Sequence, residues 1–349
     1  MTAQLHAAKS TGFSRIVSVG GARGPLVVDN HELVEALDSS DEWIQRRTGI
    51  VTRRRAPAEV LVQDLAEQAG RNTLEAAGID PSDVDVVIVS SVSWMQPTPG
   101  MAPVVAARLG VSPRAAAYDV NAGCAGYCYG IGQADAMIRA GLARHVLVIG
   151  AEKLSDYGDP TDRTISFIIG DGAGAALLAP SDVPRVGPTI WGSDGSLSEA
   201  ITMTHSWLDY KHAGPGESVE WPTARQEGPS VFRWATSVVP QFAMEAIRAA
   251  GVEPQDIDVF IPHQANLRII DGMVGRLGLR DDVVVARDIV DTGNTSGASV
   301  PLATERLLRE GSARPGQLAL QFGFGAGLCY AAQVVEIPEL VGGDGEYAA

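Results

Sequence analysis

Apolar residues fall in short runs separated by amphipathic, alanine-rich stretches, and this alternation predicts strands and helices taking turns along most of the chain. Runs at residues 15–19, 84–90, 145–149, 257–262 and 317–321 are of strand length. Alanine-rich stretches between such runs close on glycines such as Gly78, Gly141 and Gly251, the residue best suited to the left-handed turn after a helix. Strands alternating with helices predict an α/β protein.

The pattern repeats itself. Residues 76–93, AAGIDPSDVDVVIVSSVS, align without gaps with residues 249–266, AAGVEPQDIDVFIPHQAN, and 8 of the 18 positions are identical. Each copy reads as a helix end, a Gly cap, a Pro-Asx turn and a short apolar strand. The offset of 173 residues sets Asn121 opposite Asn294 and Cys124 opposite Gly297. The chain therefore reads as two duplicated halves, 1–180 and 181–349, packed about a pseudo-twofold axis where corresponding strand ends converge. Ligands of α/β sheets bind at such ends. Between the halves, residues 180–188 and the polar stretch 191–229 break the pattern, and the second predicts a lid or cap.

Charge narrows the function. Lys and Arg number 27 against 42 Asp and Glu, a net charge of −15 over 349 residues, which argues against nucleic-acid binding. The apolar runs fall far below the ~20 residues needed to span a bilayer. The first dozen residues lack the apolar core of a secretory signal, so the expected location is the cytoplasm and no membrane is involved. Three cysteines, Cys124, Cys128 and Cys329, form neither a disulfide framework nor a zinc knuckle.

Cys124 lies in YDVNAGCAGYCYG, where a strand ending near Val120 gives way through small residues to a helix. The positive end of a helix dipole favours a thiolate there, so a lowered thiol pKa is expected. Cys128 and Cys329 read as small apolar packing residues. His263 follows the strand in IPHQAN and presents an imidazole where a buried strand emerges. Asn294 lies in DTGNTSGAS, at the position related by duplication to the Cys124 turn, and by itself could be a helix cap. GFGAGL at 323–328 is a Gly-rich loop that lacks the phosphate-loop pattern; its backbone N–H near Ala326, with that of Cys124, is a candidate oxyanion hole. Nucleophile, imidazole and amide suffice for acyl transfer and decarboxylative condensation, with no metal and no organic cofactor required.

These segments resemble a known family. DVNAGCAG, IPHQANLRI, GNTSGAS and GFGAGL, with SSDEWIQRRTGI at 39–50 and DPTDRTISFIIGDGAGAALL at 159–178, are similar in order and spacing to β-ketoacyl-acyl carrier protein synthase III, within the thiolase-like superfamily. The resemblance runs from about residue 15 to 337. It implies a five-layered αβαβα fold, a homodimer, and a Cys124, His263, Asn294 triad. It implies that Trp43 and Arg163 sandwich the adenine of coenzyme A with Ser39 and Arg47 nearby. It places an acidic carrier protein on Arg268, Arg233 and Arg276, and it puts Thr98 where many members carry an aromatic at the end of the acyl pocket, which predicts room for longer or branched primers.

The expected reaction joins an acyl-CoA primer to malonyl-acyl carrier protein, giving 3-oxoacyl-carrier protein and carbon dioxide, as the first step of fatty acid biosynthesis. A priming ketosynthase or acyltransferase of polyketide metabolism is the nearest alternative. A non-catalytic carrier-binding subunit would characteristically lack the nucleophile, and a thiolase would need a second catalytic cysteine in a C-terminal Gly-rich loop. Outside the resemblance, RRTGIVTRRR reads as a solvated basic segment.

Overall fold

The computed structural model describes residues 10, 12–213 and 220–344. Two mixed sheets carry the fold. The first runs, edge to edge, Leu340–Asp344, Phe13–Arg23, Asp171–Ser181, Val146–Lys153, Val86–Ser90, Ala116–Val120. The second runs Ile190–Ser193, Cys329–Glu336, Leu318–Gly325, Val259–Pro262, Val284–Val285.

Apart from the added strand Leu340–Asp344, the two sheets have one topology. In each, the strand of the repeated segment, Val86–Ser90 or Val259–Pro262, has parallel neighbours on both sides. Two antiparallel strands then complete the sheet. The strand Leu318–Gly325 extends beyond the expected 317–321 because its pairing with Cys329–Glu336 runs on to Gly325.

Helices complete five layers. Val62–Ala77 covers the outer face of the first sheet, Pro240–Ala249 covers the outer face of the second, and Gly126–Arg139 and Ser299–Arg309 lie between, each touching both sheets. Burial on both faces explains the near-continuous apolar strands. In Val86–Ser90, Val87 and Val89 face the outer layer with Leu65 and Ala69, whereas Ile88 faces the central layer with Ile131 and Val148. Phe260 and Ile261 divide the second sheet's faces in the same way.

Charge also crosses the interface between the sheets. The buried Arg23 guanidinium donates to Asp288 at 3.0 Å and to Glu305 at 2.8 Å. The basic segment around Arg53 departs from the expected solvated face. Thr52–Arg55 pairs with Leu26–Asp29, strand alternation turns Arg53 inward, and its guanidinium donates to Asn30 and to the Phe167 carbonyl. Burial lowers its pKa to about 10. Among the described residues, no helix is long and apolar enough to cross a membrane.

Candidate active site

A cavity of about 740 Å³ opens between the sheets, and Cys124, His263, Asn294 and Ala326 all line it. Cys124 sits in a short 3-10 turn, Gly123–Ala125, that leads directly into Gly126–Arg139. Gly123 has φ +53, and a side chain there would meet the backbone of Ala326 at 2.8 Å. Gly325 is equally constrained, since a Cβ on it would lie 2.7 Å from the Cys124 sulfur. Glycine in both segments is what lets the Gly-rich loop rest on the nucleophile.

The backbone N–H groups of Cys124 and Ala326 both act on the Cys124 sulfur in the direction that favours its charged form. Even so, the thiol is not acidic. Desolvation, reinforced by the nearby Glu152 charge, pushes its pKa up to about 11. The helix dipole expected to lower it is outweighed because the cavity wall strips water from the sulfur. The resting nucleophile is a neutral thiol.

His263 is buried at the end of Val259–Pro262, and its N–H extends the sheet by donating to the Phe322 carbonyl at 2.6 Å. Its Nδ1 lies 2.7 Å from the Ser299 hydroxyl, and its ring meets Phe324 edge-on at 5.5 Å. Desolvation lowers its pKa to about 3, so it is a neutral imidazole. Asn294 Oδ1 accepts from the Ser296 N–H at 2.8 Å, while its own backbone bridges to Ile168 and Gly170. With Oδ1 committed, the amide NH₂ is the end left to donate.

At the mouth, the indole of Trp43 lies between two guanidiniums, Arg47 at 5.4 Å and Arg163 at 5.9 Å. Ser40 caps the helix Asp41–Thr48 that carries Trp43 and Arg47. Ser39 is adjacent, its hydroxyl buried without a hydrogen-bond partner. Asn266 caps Leu267–Leu277 and donates to the Arg47 carbonyl at 3.1 Å, tying this helix to the one bearing Arg268. Arg233 and Arg268 are exposed and line the cavity, with Arg268 over Phe232 at 5.7 Å. Arg276 is exposed farther along the helix Leu267–Leu277 and outside the lining. Thr98 lies in an exposed loop and takes no part in the wall of the cavity in the single chain.

The stretch 191–229 does form part of the wall. Ile201, Thr202, Ala224 and Gln226, from a two-stranded ribbon within it, line the cavity, while residues 214–219 lie outside the described ones. Cys128 is buried and Cys329 half-buried. Burial pushes the Cys128 thiol up to about 12 and the Cys329 thiol upward too, and unlike Cys124 neither lines the cavity. No described group of three or more His, Cys, Asp or Glu side chains is arranged to hold a metal ion.

Sequence reasoning missed three side chains behind the thiol and imidazole: Glu152, Ser296 and Ser299. Glu152 left one available signal, a lone carboxylate within a strand otherwise apolar, VLVIGAEK.

Comparison with known proteins now applies. Residues 118–195 match the family described as 3-oxoacyl-[acyl-carrier-protein] synthase III, and residues 247–337 match its C-terminal part. The β-ketoacyl-[acyl-carrier-protein] synthase III 1 of Streptomyces coelicolor is 49% identical over 342 residues, covering 96% of this chain and 99% of the relative. The chain belongs to the synthase III family. The synthase III of Mycobacteroides abscessus is 50% identical over 333 residues, covering 95% of this chain and 97% of that protein. Among solved structures, the priming β-ketosynthase of the R1128 polyketide pathway superposes with a TM-score of 0.92 at 43% identity, covering 96% of this chain and 99% of that one. The synthase III of Thermus thermophilus gives 0.84 at 38% identity, covering 92% and 98%. Synthase III membership makes this protein a condensing acyltransferase with the thiolase-like fold.

Proposed function

We propose that this synthase III enzyme loads the acyl group of an acyl-CoA primer onto Cys124 and condenses it with malonyl-acyl carrier protein. The observation that carries the reading is the convergence of one thiol, one neutral imidazole and one free amide on a single cavity.

In loading, the Cys124 sulfur attacks the thioester carbonyl, the amides of Cys124 and Ala326 hold the oxyanion, and coenzyme A leaves. Malonyl-carrier protein then enters. Its C–CO₂ bond breaks, carbon dioxide departs, and the electron pair passes to the thioester carbonyl oxygen. In the tautomer this step uses, the Ser299 hydroxyl donates to His263 Nδ1 across 2.7 Å and the ring proton sits on Nε2. His263 Nε2–H and the Asn294 amide hold the enolate. The enolate carbon attacks acyl-Cys124, and collapse expels the Cys124 sulfur and releases the 3-oxoacyl product.

Trp43, Arg47, Arg163 and Ser39 form the coenzyme A platform in this reading, its flat cations and indole suiting a purine. Arg233, Arg268 and Arg276 offer positive charge to an acidic carrier from a chain whose net charge is −15. The edge strand Ala116–Val120, half-buried along one side with Tyr118 and Val120 on it, is the surface for a homodimer. Thr98, exposed in a single chain, would close the partner's acyl pocket and admit longer primers; strong preference for acetyl-CoA over longer acyl-CoAs would refute that. The two halves, 1–180 and 181–349, divide the labour, and the enzyme works in the cytoplasm at the start of fatty acid synthesis.

Intact-mass measurement across an acyl-CoA panel tests the loading step. Wild type should gain each accepted acyl mass, and Cys124→Ala should gain none; acylation of Cys124→Ala would refute the assignment. The R1128 likeness supports a second reading, priming of a polyketide chain. Condensation with a polyketide carrier protein but with no fatty acid carrier protein would select it.

A further inference from the structure

Glu152 is a fully buried carboxyl that the mechanism above leaves idle. It lies near the end of Val146–Lys153, where it accepts from the N–H groups of Val92 and Ser93 at 3.1 Å and from the Ser93 hydroxyl at 2.6 Å. On its other side stands Ser296. The Ser296 hydroxyl is buried without a hydrogen-bond partner among the described residues, and Ser296 lines the cavity with Cys124. Its turn packs on both neighbours, since a Cβ on Gly297 would lie 3.6 Å from Glu152 Oε1 and 3.6 Å from the Gly123 carbonyl, and the Ser296 hydroxyl favours the charged forms of both Glu152 and Cys124.

The backbone adds an independent argument. Ser296 has φ +44, a left-handed conformation that non-glycine residues rarely adopt. The duplication puts Gly123, φ +53, at the equivalent position of the first half. Glycine meets that backbone demand without strain, whereas the second half carries a serine whose buried, unpartnered hydroxyl sits on the turn packed against the Cys124 turn and Glu152.

We propose that Ser296 and Glu152 form a proton relay that deprotonates Cys124 during acyl loading. As the sulfur–carbon bond to the acyl carbonyl forms, the thiol proton passes to Ser296 Oγ while Ser296 gives its own proton to the Glu152 carboxylate. When the intermediate collapses and the bond to coenzyme A breaks, the proton returns through Ser296 to the departing sulfur. In this relay Ser296 exchanges the proton with the reacting sulfur, and Glu152 acts through Ser296. The relay rests on the assignment of Cys124 as acyl acceptor.

Relative basicity supports this division. Desolvation raises the Glu152 pKa to about 7 and lowers that of His263 to about 3, so Glu152 is the stronger proton acceptor near neutral pH. His263 is then kept neutral for the enolate. Cys124 and Tyr157 are titratable groups that interact electrostatically with Glu152. The neighbouring Lys153 ammonium is turned away, onto the Pro57 and Ala58 carbonyls and Asp156.

Quenched-flow acyl loading, read by intact mass over a pH series, tests the relay on wild type, Glu152→Gln and Ser296→Gly. Glycine suits the positive φ at 296, so the second variant removes the hydroxyl without adding strain. Loading should slow about 100-fold in both, the scale of general-base catalysis. Condensation by enzyme already carrying its acyl group should slow less than about tenfold, because it needs no base at Cys124. Wild-type loading should rise through pH about 7, and Glu152→Gln should lose that inflection. Loading within a few-fold of wild type in both variants, with the inflection retained, overturns the relay alone. A wild-type enzyme that never carries an acyl mass at Cys124 overturns the loading assignment and the relay together.

Discussion

The turn at residues 121–126 and the turn at residues 294–299 share a backbone and differ in chemistry. Each begins with an asparagine, enters a 3-10 turn, Gly123–Ala125 or Ser296–Ala298, and feeds a central helix, Gly126–Arg139 or Ser299–Arg309. The offset of 173 residues relates them position by position. They meet back to back, so closely that a Cβ on Gly297 would lie 3.6 Å from the Gly123 carbonyl. The first turn carries the nucleophile where the second has only Gly297. The second turn keeps its asparagine at the cavity and supplies Ser296 and Ser299. In the proposed reaction one duplicated backbone serves covalent transfer in one half and charge stabilisation in the other, and the fold brings the two turns to one cavity.

Removing the second half's contribution should produce the largest effect. His263→Ala should lower condensation by about 100- to 1,000-fold, the scale of one lost oxyanion donor, and spare acyl loading. Single-turnover assays of the two steps check this; equal losses in both would break the division of labour.

Next comes the contact between the turns. A Cβ on Gly150 would lie 2.3 Å from the Gly297 carbonyl, backbone against backbone, with no flexible side chain to yield. Gly150→Ala should therefore destabilise the protein by about 1–3 kcal/mol and slow both steps by misplacing one turn against the other. Urea unfolding with single-turnover kinetics would show whether stability and alignment fall together.

The two halves also titrate in opposite directions. His263 has its pKa lowered from 6.5 to about 3, so the unfolded chain takes up a proton the folded chain refuses, and this contribution falls as pH drops below 6.5. Glu152 has its pKa raised from 4.5 to about 7, so the folded chain holds a proton the unfolded chain releases, and this contribution falls as pH rises from 4.5 towards 7. Between 4.5 and 6.5 the two slopes oppose, each at most about 1.4 kcal/mol per pH unit. Compared with wild type, His263→Gln should lose stability with rising pH in that window, and Glu152→Gln should gain it. Urea midpoints over a pH series read the sign directly.

The smallest effect lies at the mouth. Trp43→Ala removes the surface shared by Arg47 and Arg163 and should raise KM for acyl-CoA by roughly tenfold, about 1.4 kcal/mol of cation–π and stacking contact, with kcat nearly unchanged. A loss confined to kcat would detach this platform from substrate binding.

Much of this was legible before any coordinates. Alternation of apolar runs gave the α/β class, and the repeated AAG segment gave two duplicated halves, which the structure shows as two sheets of matching strand order. Cys124, His263 and Asn294 stood out because their residue types suit acyl chemistry and they sit at the ends of strands or turns, and the fold brings them to one cavity. The relay side chains were illegible for a definite reason. Glu152, Ser93 and Ser296 are far apart in the chain, and a lone Glu in an apolar run says nothing of what will face it.

The amino-acid sequence by itself determined the α/β class and the internal repeat and singled out the candidate reacting groups, because periodicity and residue type are local properties, whereas the five-layer order came only with the family resemblance. Tertiary structure alone decided their protonation states and the fate of buried charge. Arg53 is drawn inward by strand pairing, and Cys124 is held as a thiol rather than the expected thiolate. Those outcomes depend on desolvation and on neighbours supplied by distant segments, which exist only once the two halves have closed on each other.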